Sequence, residues 1–171
     1  MRKYSEYSTA LNATRLKVLG AREAAMRSLV AEASSKLAAF SSASSPAYKQ
    51  LLVDLVVQGV VALEGASAVV RCRQVDLAAV QEACTKAKAA LGSKLASGAT
   101  VTVDTTTFLA PPPNPSVPDA PSCLGGVMVC SVDGRIKISN TLEDRLQLAY
   151  QANVPDLRIK IFGKSGGHLR A

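Results

Sequence analysis

The dipeptide Asp133-Gly134 lies between two runs of residues that favour β-strands, residues 127–132 and 135–139. Asp-Gly in this position is a strong hairpin signal, because a type I′ turn needs positive φ at both of its central residues. In the second run Ile136 and Ile138 alternate with charged or polar residues, which predicts one buried face and one solvent-exposed face. The segment therefore predicts an antiparallel hairpin within a sheet.

A helix is expected directly after this hairpin. Asn140 has a side chain that can cap a helix, and Glu143 completes a capping box three residues later. Apolar residues then recur at helical spacing, at Leu142, Leu146 and Ala149. Because proline lacks a backbone N–H, we expect this helix to end before Pro155 and a short helix to follow over residues 156–162.

Residues 2–40 contain no proline and a single glycine, Gly20, which predicts one long helix. Its apolar positions repeat partly every seven residues, as in a left-handed supercoil, and partly every eleven, as in a right-handed one. Both alternatives leave an apolar stripe that needs a partner. We expect residues 19–40 to pack on the chain's own domain and residues 4–18 to pack on a helix of another chain. The residues predicted to form that second interface are Tyr4, Tyr7, Leu11, Arg15 and Val18.

Residues 68–73 alternate in the way that a strand does. Val70 and Cys72 are predicted to share one face, and Arg71 and Arg73 are predicted to lie on the other. A strand of this kind presents apolar side chains to a core and basic side chains away from it.

Asp76 is then predicted to cap a helix that ends at a glycine, either Gly92 or Gly98. The apolar stripe of this helix consists of Leu77, Val80, Cys84, Ala87 and Leu91. Residues 100–108 are rich in β-branched side chains and predict another strand. The proline-rich residues 109–122 cannot continue a sheet and predict an extended loop.

Together these elements predict an α+β fold, in which a long N-terminal helix is followed by a small sheet packed with helices. About four strands are expected, near residues 68–73, 100–106, 127–132 and 135–139. The predicted domains are a helix over residues 1–40, an α+β domain over residues 41–163 and a frayed tail over residues 164–171.

The net charge is +7, from 20 Lys and Arg against 13 Asp and Glu. A basic balance is compatible with an acidic protein partner, a nucleic acid or an acidic membrane surface. No run of Lys and Arg is longer than two residues, so we favour either a general contribution to solubility or an acidic protein partner. A basic nucleic-acid-binding module is kept as the alternative function.

No motif for catalysis or for a cofactor is found. The four cysteines form no C-x-x-C pair and the chain has a single histidine, His168, so no zinc pattern exists. Cys72 and Cys130 lie in strand-like runs and are predicted to be buried thiols. The tripeptide at residues 163–165 resembles the end of a phosphate loop, but Arg158 stands where that motif needs a glycine. We therefore expect no catalytic residue, no cofactor and no metal ion.

The sequence G-G-V-x-V-x-S-x-D-G-R-I-x-x-x-N-T-L-x-x-R-L, residues 125–146, resembles the signature of the E subunits of vacuolar-type proton ATPases. The resemblance also covers residues 6–19 well and residues 51–73 and 77–88 moderately. Leu124 stands where the family commonly has serine. The motif residues, which the resemblance marks as structural, are Gly125, Gly126, Asp133, Gly134, Asn140, Thr141, Leu142, Arg145 and Leu146.

The resemblance implies a non-catalytic protein of the peripheral stalk, or stator, of the V1 sector. Such a stalk keeps the catalytic head from turning with the rotor, so that ATP hydrolysis drives proton transport. The resemblance implies that residues 1–40 are the end of a longer helix that forms a coiled coil with the G subunit of the ATPase.

It also implies that residues 41–163 dock on the B subunit of the catalytic head, and that further contacts reach the C, H and a subunits. The implied location is the cytoplasmic side of vacuolar and other endomembranes, or the cytosol when the complex is disassembled. Membrane association would come only through the complex, and no nucleic acid would be bound.

Overall fold

The computed structural model describes residues 2–41, 45–92, 95–96, 98–113 and 121–163, with the backbone alone for residues 2–5. The helices are α1 (Arg2–Phe40), α2 (Pro46–Ala62), α3 (Leu77–Leu91) and α4 (Leu142–Phe162), and the strands are β1 (Ala68–Arg71), β2 (Val101–Val103), β3 (Gly126–Ser131) and β4 (Lys137–Thr141). A single 3-10 turn, Gln74–Asp76, lies between β1 and α3. The predicted α+β class and the long N-terminal helix are both confirmed.

The four strands form one mixed sheet with the order β2-β1-β3-β4. β1 and β2 are parallel, and α3 lies in the connection between them, as a parallel pair requires. β3 pairs antiparallel with both β1 and β4, so that Val129 lies opposite Val70 on one side and Ile138 on the other. β3 is therefore buried within the sheet, and β4 lies at its edge.

The core lies between this sheet and the two helices α2 and α3, which contact each other and the strands. α2 contributes a broad apolar face, as its run of Leu and Val residues predicts, and α3 contributes one stripe. Fully buried side chains come from every layer and include Tyr48, Leu52, Val56, Val60, Val70, Val80, Val101, Val127 and Val129.

The chain divides into two compact units. The first unit is Ser34–Leu148 and contains the sheet and the core. The second combines Met1–Ala33 with Ala149–Ala171. Within the second unit Met26 is buried, and the guanidinium carbon of Arg22 lies 5.5 Å from the ring centroid of Phe162. The predicted tail, residues 164–171, lies outside the described residues.

The β3–β4 hairpin is at the predicted place, but its turn is of another type. Gly134 has φ +71°, whereas Asp133 does not have positive φ, so the turn is not type I′. The Gly134 N–H donates to the Ser131 carbonyl at 2.9 Å, and the Ser131 N–H donates to the Ile136 carbonyl at 2.9 Å. A four-residue turn whose last residue is a glycine in the left-handed region makes a longer loop. Ile136 consequently lies outside β4 and is 54% exposed, so its predicted burial was wrong.

The strands β1 and β2 are shorter than predicted. β2 ends because Asp104 accepts hydrogen bonds from the backbone N–H groups of Thr106 and Thr107, at 2.9 and 3.0 Å. This local bonding competes with a continued strand. The other carboxylate oxygen of Asp104 accepts a hydrogen bond from Arg71 Nε at 2.9 Å, which joins the ends of β1 and β2.

The start and the end of α4 also differ from the prediction. Asn140 is not the cap, because it belongs to β4; instead Thr141 Oγ1 accepts the Asp144 N–H at 3.2 Å, and its hydroxyl donates to Asp144 Oδ2 at 2.8 Å. The N-cap is therefore displaced by one residue from the predicted position. α4 continues through Pro155 to Phe162. Pro155 and Gln151 are both exposed, so water can reach the Gln151 carbonyl that the proline leaves without a donor.

Gly59 lets α2 approach β3 closely. A Cβ atom at Gly59 would lie 2.4 Å from Val129 Cγ2, so any side chain there would force the helix and the strand apart. Gly20 in α1, in contrast, has open space around a Cβ position. The same substitution should therefore have opposite effects at the two sites.

Gly59→Ala is expected to lower the free energy of unfolding by about 2 kcal/mol, because overpacking outweighs the helix propensity that alanine adds. The matched control Gly20→Ala should instead raise helix stability, by about 0.5–1 kcal/mol. Urea unfolding followed by circular dichroism measures both. The double variant Gly59→Ala/Val129→Ala should lose less than the two single losses added together; simple additivity would contradict the proposed contact.

Candidate functional site

The motif residues 125–146 form one continuous unit, which consists of β3, the hairpin loop, β4 and the first turn of α4. At its start Gly125 and Gly126 have φ values of +127° and +92°. A Cβ at Gly125 would lie 2.6 Å from the Tyr48 hydroxyl oxygen, and one at Gly126 would lie 2.5 Å from the Asn140 carbonyl oxygen. Both positions therefore need glycine for conformation and for space.

The C-terminal part of the motif is attached to α2. Asn140 Nδ2 donates to the Leu55 carbonyl at 3.0 Å, and Arg145 Nη1 donates to Gln58 Oε1 at 2.8 Å. Arg145 thus reaches another helix, and not Asp144 or Glu143 as a local pair would. Leu142 is buried in the core, Leu146 is half-buried and Thr141 caps α4.

The tip of the hairpin is exposed. Asp133 and Gly134 lie there, and a Cβ atom added at Gly134 would meet no other atom within 4 Å. The Asp133 carboxylate accepts a hydrogen bond from the Ser131 hydroxyl. These two motif residues therefore serve the turn. No further group in the tip suggests chemistry.

Beneath the motif lies a buried polar cluster, which we call the Arg73 cluster; it consists of Ser41, Tyr48, Arg73, Asp76 and residues 123–126. Arg73 is only 2% exposed and its guanidinium donates five hydrogen bonds. The acceptors are Asp76 Oδ2 at 2.6 Å, the carbonyls of Ser41, Cys123 and Leu124 at 3.0, 3.3 and 3.1 Å, and the Tyr48 hydroxyl at 3.4 Å.

The roles predicted from the sequence were wrong for both charged residues of the cluster. Arg73 was predicted on the face away from the core, because it follows the alternation of Val70 and Cys72, but β1 ends at Arg71 and the chain then turns. Asp76 does precede α3, yet its carboxylate makes no capping hydrogen bond and pairs with Arg73. The two opposite charges three residues apart were the only signal, and such pairs usually lie on surfaces.

Tyr48 connects the cluster to the motif. Its hydroxyl donates to Asp76 Oδ2 at 3.0 Å and accepts the Gly126 N–H at 3.0 Å. Burial raises the pKa of Tyr48 to about 12, so the hydroxyl stays protonated near neutral pH. Burial alone would lower the pKa of Arg73, but its hydrogen bond to Asp76 and the neighbouring groups outweigh this and raise it. The guanidinium therefore stays charged.

The face of α1 that was predicted to bind another helix is exposed. Tyr7 is 64% exposed, and Leu11, Arg15 and Val18 are also exposed; the side chain of Tyr4 lies outside the described residues. The neighbouring Leu16 is 69% exposed.

The expectation that residues 19–40 pack on the chain's own domain is confirmed for their last part. Leu19 is exposed, whereas Leu37 and Ala38 at the end of α1 pack against the core.

Within the described part of the chain, no three His, Cys, Asp or Glu side chains are grouped so that they could hold a metal ion. The cysteines Cys72, Cys84, Cys123 and Cys130 are all free and buried, as predicted for Cys72 and Cys130. Burial raises the pKa of both Cys72 and Cys84 to about 11, so neither is a reactive thiolate.

No described helix is both long enough and apolar enough to cross a bilayer. His168 and most of the phosphate-loop-like tripeptide lie outside the described residues.

Tyr48→Phe is expected to lower the free energy of unfolding by about 2 kcal/mol, because the buried Gly126 N–H loses its acceptor. It should also change the alkaline response. A raised pKa in the folded state means that the stability due to Tyr48 is present below pH 10 and is lost as the pH rises from 10 to about 12. The variant should show a smaller decline over that range in urea unfolding. Tyr7→Phe, at an exposed hydroxyl, is the control; an equal loss there would contradict the role assigned to Tyr48.

Comparison with known proteins shows the family to which this chain is similar. A family model described as "ATP synthase (E/31 kDa) subunit" matches residues 1–162. The E1 subunit of the V-type proton ATPase of Arabidopsis thaliana is 39% identical over 165 residues, which cover 96% of this chain and 71% of that protein. The E2 subunit of the same plant is 36% identical over 166 residues, covering 95% and 70%.

The E subunit of the V-type proton ATPase of Dictyostelium discoideum is 33% identical over 165 residues, covering 96% of this chain and 70% of that protein. Similarity of this extent includes α1, the sheet and the motif together. The chain therefore belongs to the family of V-type proton ATPase E subunits, as the sequence of residues 125–146 indicated.

Proposed function

We propose that this chain is a non-catalytic component of the V1 sector of a V-type proton ATPase, where it forms part of the peripheral stalk. The stalk holds the catalytic head against the torque of the rotor, so that ATP hydrolysis elsewhere in the complex drives proton transport. Membership of the E family supports this proposal. So does a structure in which the described residues form a long helix and a compact sheet domain.

The observation that carries the proposal is the exposed face of α1. Tyr7, Leu11, Arg15 and Val18 recur at intervals of three or four residues, which places them on one side of a helix. Apolar side chains in that spacing are typical of a helix that packs against a second helix. We propose that the G subunit supplies the second helix in a coiled coil.

The remaining partners follow from the proposed place in the complex. The domain of residues 41–163 would dock on the B subunit of the catalytic head, and the chain would also reach the C, H and a subunits. The net charge of +7 suits acidic partner surfaces. The chain would lie on the cytoplasmic side of vacuolar or other endomembranes, held there only through the complex, and in the cytosol after disassembly.

The double variant Leu11→Asp/Val18→Asp is expected to abolish binding to the G subunit, because two carboxylates would be desolvated in the helix–helix contact. We expect the Kd to rise at least a hundredfold, roughly 3 kcal/mol. The wild-type chain co-expressed with the G subunit should give a stoichiometric complex with increased helix content. Size-exclusion chromatography and circular dichroism measure both properties.

The matched control is Ala13→Asp/Gly20→Asp. These two positions have the same spacing of seven residues but lie on the opposite side of the helix, and a Cβ at Gly20 meets nothing within 4 Å. The control should bind the G subunit in the same way that the wild type does. Separate migration of the wild-type chain and the G subunit, or equal loss of binding in both double variants, would count against the proposed interface.

A further inference from the structure

The C-terminal end of α1 is held by more than apolar packing. Leu37 and Ala38 pack against the core, and the rings of Phe40 and Tyr48 meet edge to face with centroids 6.2 Å apart. Ser41 follows the last helical residue and is itself buried. The Arg73 guanidinium donates to the Ser41 carbonyl at 3.0 Å.

This last contact has a clear electrostatic reason. The final carbonyl groups of a helix have no partner within the helix, and the helix dipole places partial negative charge there. A buried cation beside Ser41 satisfies one such carbonyl and opposes that partial charge. Arg73 therefore acts as a cap for α1 that comes from a distant part of the chain.

The same guanidinium also holds the segment that leads into β3. It donates to the carbonyls of Cys123 and Leu124, while Asp76 fixes its position from the other side. At Gly125 a Cβ would lie 3.1 Å from Arg73 Nη2 and 3.2 Å from the Ser41 Cβ. The end of α1 and the start of the motif are thus in close contact around one side chain.

We propose that Arg73, kept in place by Asp76, is the positioning residue that locks the C-terminal end of α1 to β3. Load carried along α1 then passes through this cluster into the sheet. The second statement rests on the proposed stalk function, whereas the first concerns the chain alone. The fork shape of arginine suits this role, because a single lysine amine cannot reach Asp76, Ser41 and Leu124 together.

The test uses a variant that leaves no buried unpaired charge. Arg73→Met alone would leave Asp76 as a buried unpaired charge, which is strongly destabilising. Arg73→Met/Asp76→Asn removes both charges, so that neither residue is left as a buried unpaired ion. Arg71→Met is the matched control, because Arg71 is the last residue of β1, two positions before Arg73, and pairs with Asp104, away from the Arg73 cluster.

The first measurement is the distance between two spin labels in the full chain. Ser35→Cys on α1 and Gln81→Cys on α3 place both labels at exposed positions of the same compact unit, and the four native cysteines are buried. We expect the distance distribution of Arg73→Met/Asp76→Asn to be at least twice as broad as that of the wild type. The Arg71→Met distribution should not change. A folded double variant with an unchanged distribution would overturn the proposal.

Hydrogen exchange decides the case in which the double variant does not fold. Arg73→Lys keeps a charge beside Asp76 but loses the fork. Exchange at the amides of residues 37–41 should rise at least tenfold, with the amides of β3 protected as before. A uniform rise over the whole of Ser34–Leu148 would show a merely structural role and would refute the proposal.

The statement about load transfer is tested in the assembled ATPase by the number of protons transported per ATP hydrolysed. With Arg73→Met/Asp76→Asn this ratio should fall at least twofold, while ATP hydrolysis continues and Arg71→Met has no effect. An unchanged ratio, despite a broadened label distance, would overturn that statement. Failure of the wild-type chain to enter the complex would instead refute the proposed function and leave the label experiment to decide the role of Arg73.

Discussion

The buried pair of Arg73 and Asp76 is the interaction on which the domain depends. Taking two charges out of water is costly, and the cost is offset here only because the guanidinium meets acceptors from several segments. Those segments are the end of α1, the residues that lead into β3 and the turn before α3. A single buried ion pair thus joins these separate parts of the chain.

The contacts within this domain explain which residue types occur in the motif at residues 125–146. Its two glycines are needed because the Tyr48 hydroxyl and the Asn140 carbonyl come too close for a side chain. Its later residues, Asn140 and Arg145, attach β4 and α4 to α2. The motif is therefore a set of internal contacts that places a hairpin and a helix, and none of its described side chains forms a reactive centre.

The function proposed for the chain requires a firm domain and a helix that offers an interface. The described structure has both features. The core is continuous through α2, α3 and the sheet, and the face of α1 with Tyr7, Leu11 and Val18 is exposed.

The sequence by itself determined α1, α3, the strands that flank Asp133-Gly134 and the family, because periodicity and turn residues act over a few neighbouring positions. The predicted strand ends and the predicted cap of α4 were displaced by one to several residues, and the predicted turn type was wrong. The reason is that Asp104, Ser131 and Thr141 make local hydrogen bonds that residue propensities do not predict. Only the tertiary structure decided that Arg73 is buried and that Gly59 touches Val129. Both depend on residues far apart in sequence, and no local pattern records the distance between them.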